Sequence, residues 1–193
     1  MKYQLLFESL AHHISLDSTE IQTIQSLIET TTFKRGQFLL QAGEACLYEY
    51  FVLNGVVRAF YVNEQGEEHT TFFSTEGWWT GNLKSFVKGT PSSFFLQLME
   101  STEIIRLNKA SIEKLYEDVP KLERYFRILL QNRLISVQDR VSGHLSFTAE
   151  ERYINFRKKY PNLEQRISQK YIASYLGITP AYLSRLRKRM SEF

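Results

Sequence analysis

The sequence predicts an α+β chain in which a small antiparallel β domain is followed by a long helix and a compact helical unit. Three observations predict it. Residues 32–107 consist mainly of short β-rich runs punctuated by glycine. From Pro120 to about Leu145 apolar residues recur every three or four positions. The stretch Arg166–Arg189 reads RISQKYIASYLGITPAYLSRLRKR, two short helical patterns meeting at Leu176-Gly177-Ile178. A chain of 193 residues that is 43% hydrophobic can bury a core and divide into domains. The expected boundaries are 1–118, 119–147 and 148–193.

Each element has a local reason. A polar helix is expected over MKYQLLFESLAHH. Asp17-Ser18-Thr19-Glu20 reads as a capping box. It opens a helix whose Ile21, Ile24, Leu27 and Ile28 share a face. From Thr32 the texture turns to strand: Phe33–Leu40, Tyr48–Leu53, Val56–Val62 and His69–Phe73, with Phe94–Glu100 and Glu103–Leu107 closing the domain. Gly36, Gly43, Asn54-Gly55 and Gln65-Gly66 punctuate them, and Asn54-Gly55 is a hairpin signal. Such closely spaced strands argue for a small sandwich or barrel. Helix returns at Lys109–Tyr116. In the long pattern that follows, Leu122, Phe126, Leu129, Leu130, Leu134, Val137, Val141 and Leu145 repeat at nearly coiled-coil spacing. That stripe packs either on its own domain or against a second copy, the latter through Leu122, Phe126, Leu130, Leu134, Val137 and Val141. Tyr160-Pro161-Asn162 breaks the next helix.

The terminal unit carries the functional signal. Counted from Gln169, Ala173 stands fifth, Gly177 ninth and Leu183 fifteenth. A helix-turn-helix needs a small residue where its helices cross, favours glycine where the backbone turns with positive φ, and needs an apolar anchor on its second helix. Thr179 can cap that helix, with Pro180 at its first position. Its main use is to place a helix in the major groove of DNA. Charge agrees. Residues 151–193 hold ten Lys or Arg against three acids, a net +7, leaving −4 for residues 1–150. A basic end on an acidic body suits a polyanionic partner. On the second helix Leu183, Leu186 and Met190 share the inward face, and Ala181, Ser184, Arg185 and Lys188 lie opposite, flanked by Tyr182 and Arg189. Gln169, Lys170 and Thr179 complete the expected DNA-facing set. Arg185 suits the guanine edge or, failing that, a phosphate, and Arg187 at the border suits a phosphate.

Other classes find less support. The sequence contains no G-x-x-x-x-G-K-S/T, G-x-S-x-G or H-E-x-x-H. His12 and His13 are adjacent, so their side chains diverge, and His69 and His144 are isolated. The one cysteine, Cys46, excludes a disulfide framework and a Cys-ligated cluster. It reads as a semi-buried loop thiol or a redox switch. No apolar run reaches the ~18 residues of a membrane span. The expectation is a cytoplasmic, non-enzymatic protein without cofactor or metal.

The order of these parts resembles the Crp/Fnr family of bacterial transcription regulators. The resemblance rests on Arg35-Gly36 to Gly43-Glu44, on Tyr50–Arg58 (YFVLNGVVR), on Gly66, on Ile172–Thr179 (IASYLGIT) and on Leu183-Ser184-Arg185. It implies an N-terminal cyclic-nucleotide-binding-like β-roll, a long dimerisation helix and a C-terminal helix-turn-helix domain. The implied partners are double-stranded DNA, a second copy and RNA polymerase. The family's cyclic AMP cassette opens G-E-L and later has R-S. Here those places hold Gly81-Asn82-Leu83 and Ser92-Ser93. Without the glutamate for the ribose and the arginine for the phosphate, the charge-assisted bonds are lost, and cyclic AMP dependence is not expected. Trp78, Trp79, Phe86, Phe94 and Phe95 surround the region and either line an apolar effector pocket or fill an emptied one. The candidate effector set is thus Trp78, Trp79, Gly81, Asn82, Leu83, Ser92, Ser93 and Phe94. The family's Arg and Glu near the start of the recognition helix are replaced by Pro180 and Ala181, while Arg185 matches its later arginine. The strand hairpin that often follows is not expected after Met190. The resulting expectation is a homodimer reading a two-fold DNA site. Its counterpart from another class is a small-molecule-binding regulatory module acting through protein–protein contacts.

Overall fold

The computed structural model describes residues 3–191. Its order is α1 (Gln4–Ala11), α2 (Ser18–Leu27), β1 (Glu29–Phe33), β2 (Phe38–Leu40), β3 (Tyr48–Asn54), β4 (Val57–Val62), β5 (Glu68–Ser74), β6 (Trp79–Thr80), α3 (Leu83–Lys88), β7 (Phe95–Leu98), β8 (Thr102–Asn108), α4 (Lys109–Asp118), α5 (Lys121–Ser146), α6 (Ala149–Lys159), α7 (Leu163–Arg166), α8 (Gln169–Leu176) and α9 (Pro180–Ser191). Two compact units result. One comprises residues up to Ala59 with Phe73–Arg133, the other Phe60–Phe72 with residues from Leu134 on.

The first unit is a β-roll with helices. The two four-stranded sheets of the roll run β1-β8-β3-β6 and β2-β7-β4-β5, and of the latter the β4–β5 hairpin, Phe60–Phe72, is counted with the second unit. The Asp17 carboxylate accepts from Thr19 and Glu20, and Glu20 accepts from the Asp17 amide, completing the expected capping box of α2. Leu6, Leu10, Ile24, Phe51, Ile105, Leu107, Ile112, Leu115 and Tyr125 form one continuous core. Leu122 belongs to it, and Phe126 packs against it, edge-on to Trp79 and Tyr125. The first two residues of the expected dimer stripe therefore serve the chain's own core. Farther along α5, Leu130, Leu134, Ile135, Val137, Val141 and Leu145 are exposed in the single chain.

Several local expectations change. Phe33–Leu40 is two strands, interrupted at residues 34–37, and β1 starts at Glu29 rather than Thr32. Asn54-Gly55 does not close a hairpin, because β3 and β4 lie in different sheets. Gly55, at φ +111°, carries the chain from one sheet to the other past Thr102. A Cβ there would meet the Thr102 hydroxyl at 2.3 Å. The hairpin turn is Gln65-Gly66, whose tip is fixed by the Asn63 side chain accepting from the amides of Gln65 and Glu67. The first helix ends at Ala11, so His12 and His13 follow it.

In the second unit α6, α8 and α9 enclose Tyr153, Phe156, Tyr160, Ile172, Ala173, Leu176, Leu183 and Leu186. Phe156, Tyr160 and Tyr175 pack ring against ring at 5.4–5.8 Å. Thr148 and Glu151 make a second capping box at the start of α6.

Candidate nucleic-acid interface and effector cassette

The α8–α9 unit follows from three residue choices. Ala173 is fully buried, so nothing larger than a methyl stands in its place. Gly177 adopts φ +68°, and the Ile178 amide reaches back to the Ala173 carbonyl at 3.0 Å, a helix-ending pattern that glycine permits without strain. Leu183 and Leu186 are buried, and Met190 is half-buried. Thr179 uses its hydroxyl to accept the Tyr182 amide at 3.2 Å, so this candidate is a cap. Ala181, Tyr182, Ser184, Arg185, Lys188 and Arg189 are exposed on α9, and Gln169 and Lys170 on the first turn of α8. The Arg185 guanidinium lies 5.8 Å from the Tyr182 ring centre, and the Lys170 ammonium 4.8 Å from that of Tyr171.

Arg187 differs from its expectation. It is half-buried, 3.8 Å from the Glu164 carboxylate. Glu164 also accepts from the Tyr153 hydroxyl at 2.6 Å and pairs with Arg157 at 3.3 Å, so one acid ties α6, α7 and α9 together. Burial and then that carboxylate push the Tyr153 phenol up to about 12. Sequence reasoning missed Glu164. Its signal was there, as the one acid between Arg152 and Ser191.

In the first unit, Asn82 and Ser92, two of the candidate effector residues, come together. They bind each other. The Asn82 amide donates to the Ser92 hydroxyl at 2.8 Å, and its carbonyl oxygen caps α3 by accepting the Ser85 amide at 3.2 Å. The Ser92 hydroxyl donates to the Phe94 carbonyl and accepts the Phe94 amide. Ser85 accepts from the Cys46 amide and donates to the Thr90 carbonyl. Asn82 is 6% and Ser92 4% exposed, so these bonds offset the desolvation of both groups. Gly81 is tight against Glu49, since a Cβ on it would lie 2.5 Å from that carboxylate. Burial pushes the Glu49 carboxyl up to about 7, against the pull of Arg133, and Arg133 donates to the Gly81 carbonyl at 3.4 Å.

The aromatic candidates separate. Trp79 packs edge-on to Phe51 and Phe126 and donates to the Tyr125 hydroxyl at 3.0 Å, and Phe86 packs on the same core. These two fill space rather than line it. Trp78, Leu83 and Ser93 are exposed, and Phe94 is half-buried. Cys46 is buried, its thiol donates to the Tyr48 carbonyl at 3.2 Å, and burial pushes it up. Among the described residues no cluster of His, Cys, Asp or Glu suits a metal ion, and no helix is long and apolar enough to cross a membrane.

The roll with its altered cassette defines a class. The cyclic nucleotide-binding domain family matches residues 30–119. The fumarate and nitrate reduction regulatory protein of Vibrio cholerae is 26% identical over 195 residues, spanning 92% of this chain and 75% of that one. Among solved structures, the c-di-GMP responsive global regulator CLP of Xanthomonas campestris superposes with a TM-score of 0.72 at 16% identity, covering 91% of this chain and 92% of that chain. A protein from Eubacterium rectale assigned to the Crp/Fnr family of transcriptional regulators superposes at 0.69, with 15% identity and coverage of 91% and 84%. The roll is thus a cyclic nucleotide-binding domain, and the chain is similar over nearly its whole length to regulators of the Crp/Fnr type.

Proposed function

We propose that the chain is a cytoplasmic, non-enzymatic transcription regulator that binds duplex DNA as a homodimer, without cyclic AMP. The observation that carries this reading is α9 itself. Leu183 and Leu186 are committed to the core, while Tyr182, Ser184, Arg185, Lys188 and Arg189 stand exposed on its surface. Arg185 is the base-reading residue, matched to the guanine O6/N7 pair, and Lys170, Lys188 and Arg189 neutralise phosphates. The second copy covers Leu130, Leu134, Val137 and Val141, four large apolar side chains that are exposed in the single chain. Ile135 is also exposed, but it lies about 100° round the helix from Leu134. Two-fold symmetry then sets two α9 helices about one turn of DNA apart, ~34 Å. The internally bonded Asn82–Ser92 pair argues against a cyclic nucleotide as the effector. An uncharged ligand, or none, is in keeping with it.

Selection of bound sequences from a random duplex pool tests the reading. The expected result is enrichment of a two-fold site that resists competitor DNA, with affinity falling steeply as salt rises. Absence of any enriched sequence would overturn it in favour of a regulatory module whose basic end docks an acidic protein.

A further inference from the structure

β5 is the last strand of its sheet in the order β2-β7-β4-β5. An edge strand presents a row of backbone N–H and C=O groups, which in buried surroundings must find partners. Here the partners are side chains of two helices. The Ser174 hydroxyl of α8 accepts the Thr70 amide at 2.9 Å and donates to the Glu68 carbonyl at 2.7 Å. Arg140 of α5 donates to the Thr70 carbonyl at 3.0 Å, and its guanidinium lies 4.6 Å from the ring centre of Tyr175, the residue after Ser174. Thr70 is 2% exposed and its bonds to Ser174 and Arg140 are partly buried, while the Glu68 end of the seat lies at the surface. Glu68 and Thr70 are two apart, hence on the same side of the strand's hydrogen-bonding edge. One serine thus occupies the place of a neighbouring strand at two adjacent groups, and this fixes where α8 sits along β5. The hairpin itself is firm. Its tip is tied by Asn63, and Tyr61 stacks on His69 at 5.3 Å.

We infer that the β4–β5 hairpin is a working part of the DNA-reading head, and that Ser174 is a positioning residue which seats the helix-turn-helix on the β5 edge through its hydroxyl. The inference rests on the DNA-binding reading above. Ser174 lies one helical turn after Lys170 on α8, so a shift of α8 along the strand displaces a phosphate-facing cation and, through the Gly177 turn, the start of α9. Loss of the hydroxyl leaves the Thr70 amide without its acceptor and frees α8 to take several seats, of which one matches DNA.

The test combines amide hydrogen exchange with DNA affinity on the full chain. Ser174→Ala is expected to speed exchange of the Thr70 amide at least tenfold, while the amides of Ile172 and Leu176 stay protected. Affinity for the selected duplex is expected to fall three- to tenfold, and Ser174→Thr, which keeps the hydroxyl, to restore both. Arg140→Gln, which removes the donor to the Thr70 carbonyl but keeps the Ser174 hydroxyl on the Thr70 amide, should speed that exchange less than Ser174→Ala does. Unchanged Thr70 exchange in Ser174→Ala overturns the seat itself. Faster exchange with unchanged affinity overturns its positioning role. A wild-type chain that binds no duplex removes the DNA reading, while the exchange data still decide whether the seat exists.

Discussion

The cassette between β6 and β7 and the outer face of α9 hold the same kinds of polar atoms and use them in opposite ways. At the cassette, Asn82 and Ser92 are buried and each satisfies the other, with the Ser85 and Phe94 backbones completing the set. On α9, Ser184 and Arg185 face solvent. The difference is one of cost. A buried amide or hydroxyl without a partner costs about 1–3 kcal/mol, so a pocket that has lost its ligand's charges is stable once its polar groups bond internally. An exposed guanidinium stays hydrated until a phosphate or base edge replaces the water. Polar groups paired in this way leave a closed site, while an exposed basic face stays open to a partner.

Five experiments break or sharpen that contrast. The largest effect belongs to the open surfaces. Leu134→Asp should yield a monomer by sedimentation and weaken binding to a two-half-site duplex by roughly 100-fold or more, because bivalency is lost. A wild-type chain that already sediments as a monomer at micromolar concentration would end the dimer proposal. On the closed side, Glu49→Gln should stabilise the roll in a pH-dependent way. The Glu49 carboxyl titrates in the fold at about 7, above its ordinary value of 4.5. Between these pH values the folded chain holds a proton that the unfolded chain has released, so wild-type stability falls as pH rises through this window and is flat above it. Gln has no proton to lose. The variant's advantage should be absent below pH ~4.5 and reach on the order of 1–3 kcal/mol above pH ~7 in thermal melts. Equal wild-type and variant slopes across this window would show that Glu49 is better solvated than its surroundings suggest.

Arg185→Ala should cost about 1–3 kcal/mol at the selected site, relax specificity at one base pair and leave the melting temperature unchanged. Equal losses on selected and random DNA would reduce Arg185 to a phosphate contact. Asn82→Ala has the converse signature. It removes the α3 cap and orphans Ser92, costing about 1–2 kcal/mol of stability with DNA affinity per protomer untouched. A drop in DNA affinity at temperatures where the variant is fully folded would show the cassette still speaks to the reading head. The smallest effect is none at all. Calorimetry with cyclic AMP should give no binding heat, and a micromolar dissociation constant would mean that the Asn82–Ser92 pair opens readily.

What the sequence disclosed was what is encoded within a few residues. The Asp17–Glu20 capping box, the Gln65-Gly66 turn and the Ala173, Gly177 and Leu183 slots are local, and each appears in the fold. The Thr148–Glu151 box carried the same signal and went unread. What stayed hidden depends on distant partners. Asn54-Gly55 has the composition of a hairpin turn, and its dipeptide carries no mark of which sheet the next strand joins. A stripe such as Leu122 to Leu145 has one period whether it meets its own domain or another copy, and the chain divides it, with Leu122 inside and Leu134 outside. Ser174 finds its partners 104 and 106 residues away, a separation no window along the sequence spans. At the cassette, sequence comparison located Asn82 and Ser92, but their mutual bond emerged only from the fold.

The sheet order β1-β8-β3-β6 has a consequence for how the roll is made. β8 is the last strand to leave the ribosome, yet it is the one that joins β1 to β3, pairing Glu29 with Arg106 on one side and Phe51 with Ile105 on the other. Until it arrives, the two strands it will separate have lost both the partner and the apolar cover it brings. Closing loops of this length is slow, and unpaired strands are the species that aggregate while they wait. A chain truncated before Thr102 should therefore lack protease resistance, and one extended through Tyr125, which completes the core, should possess it.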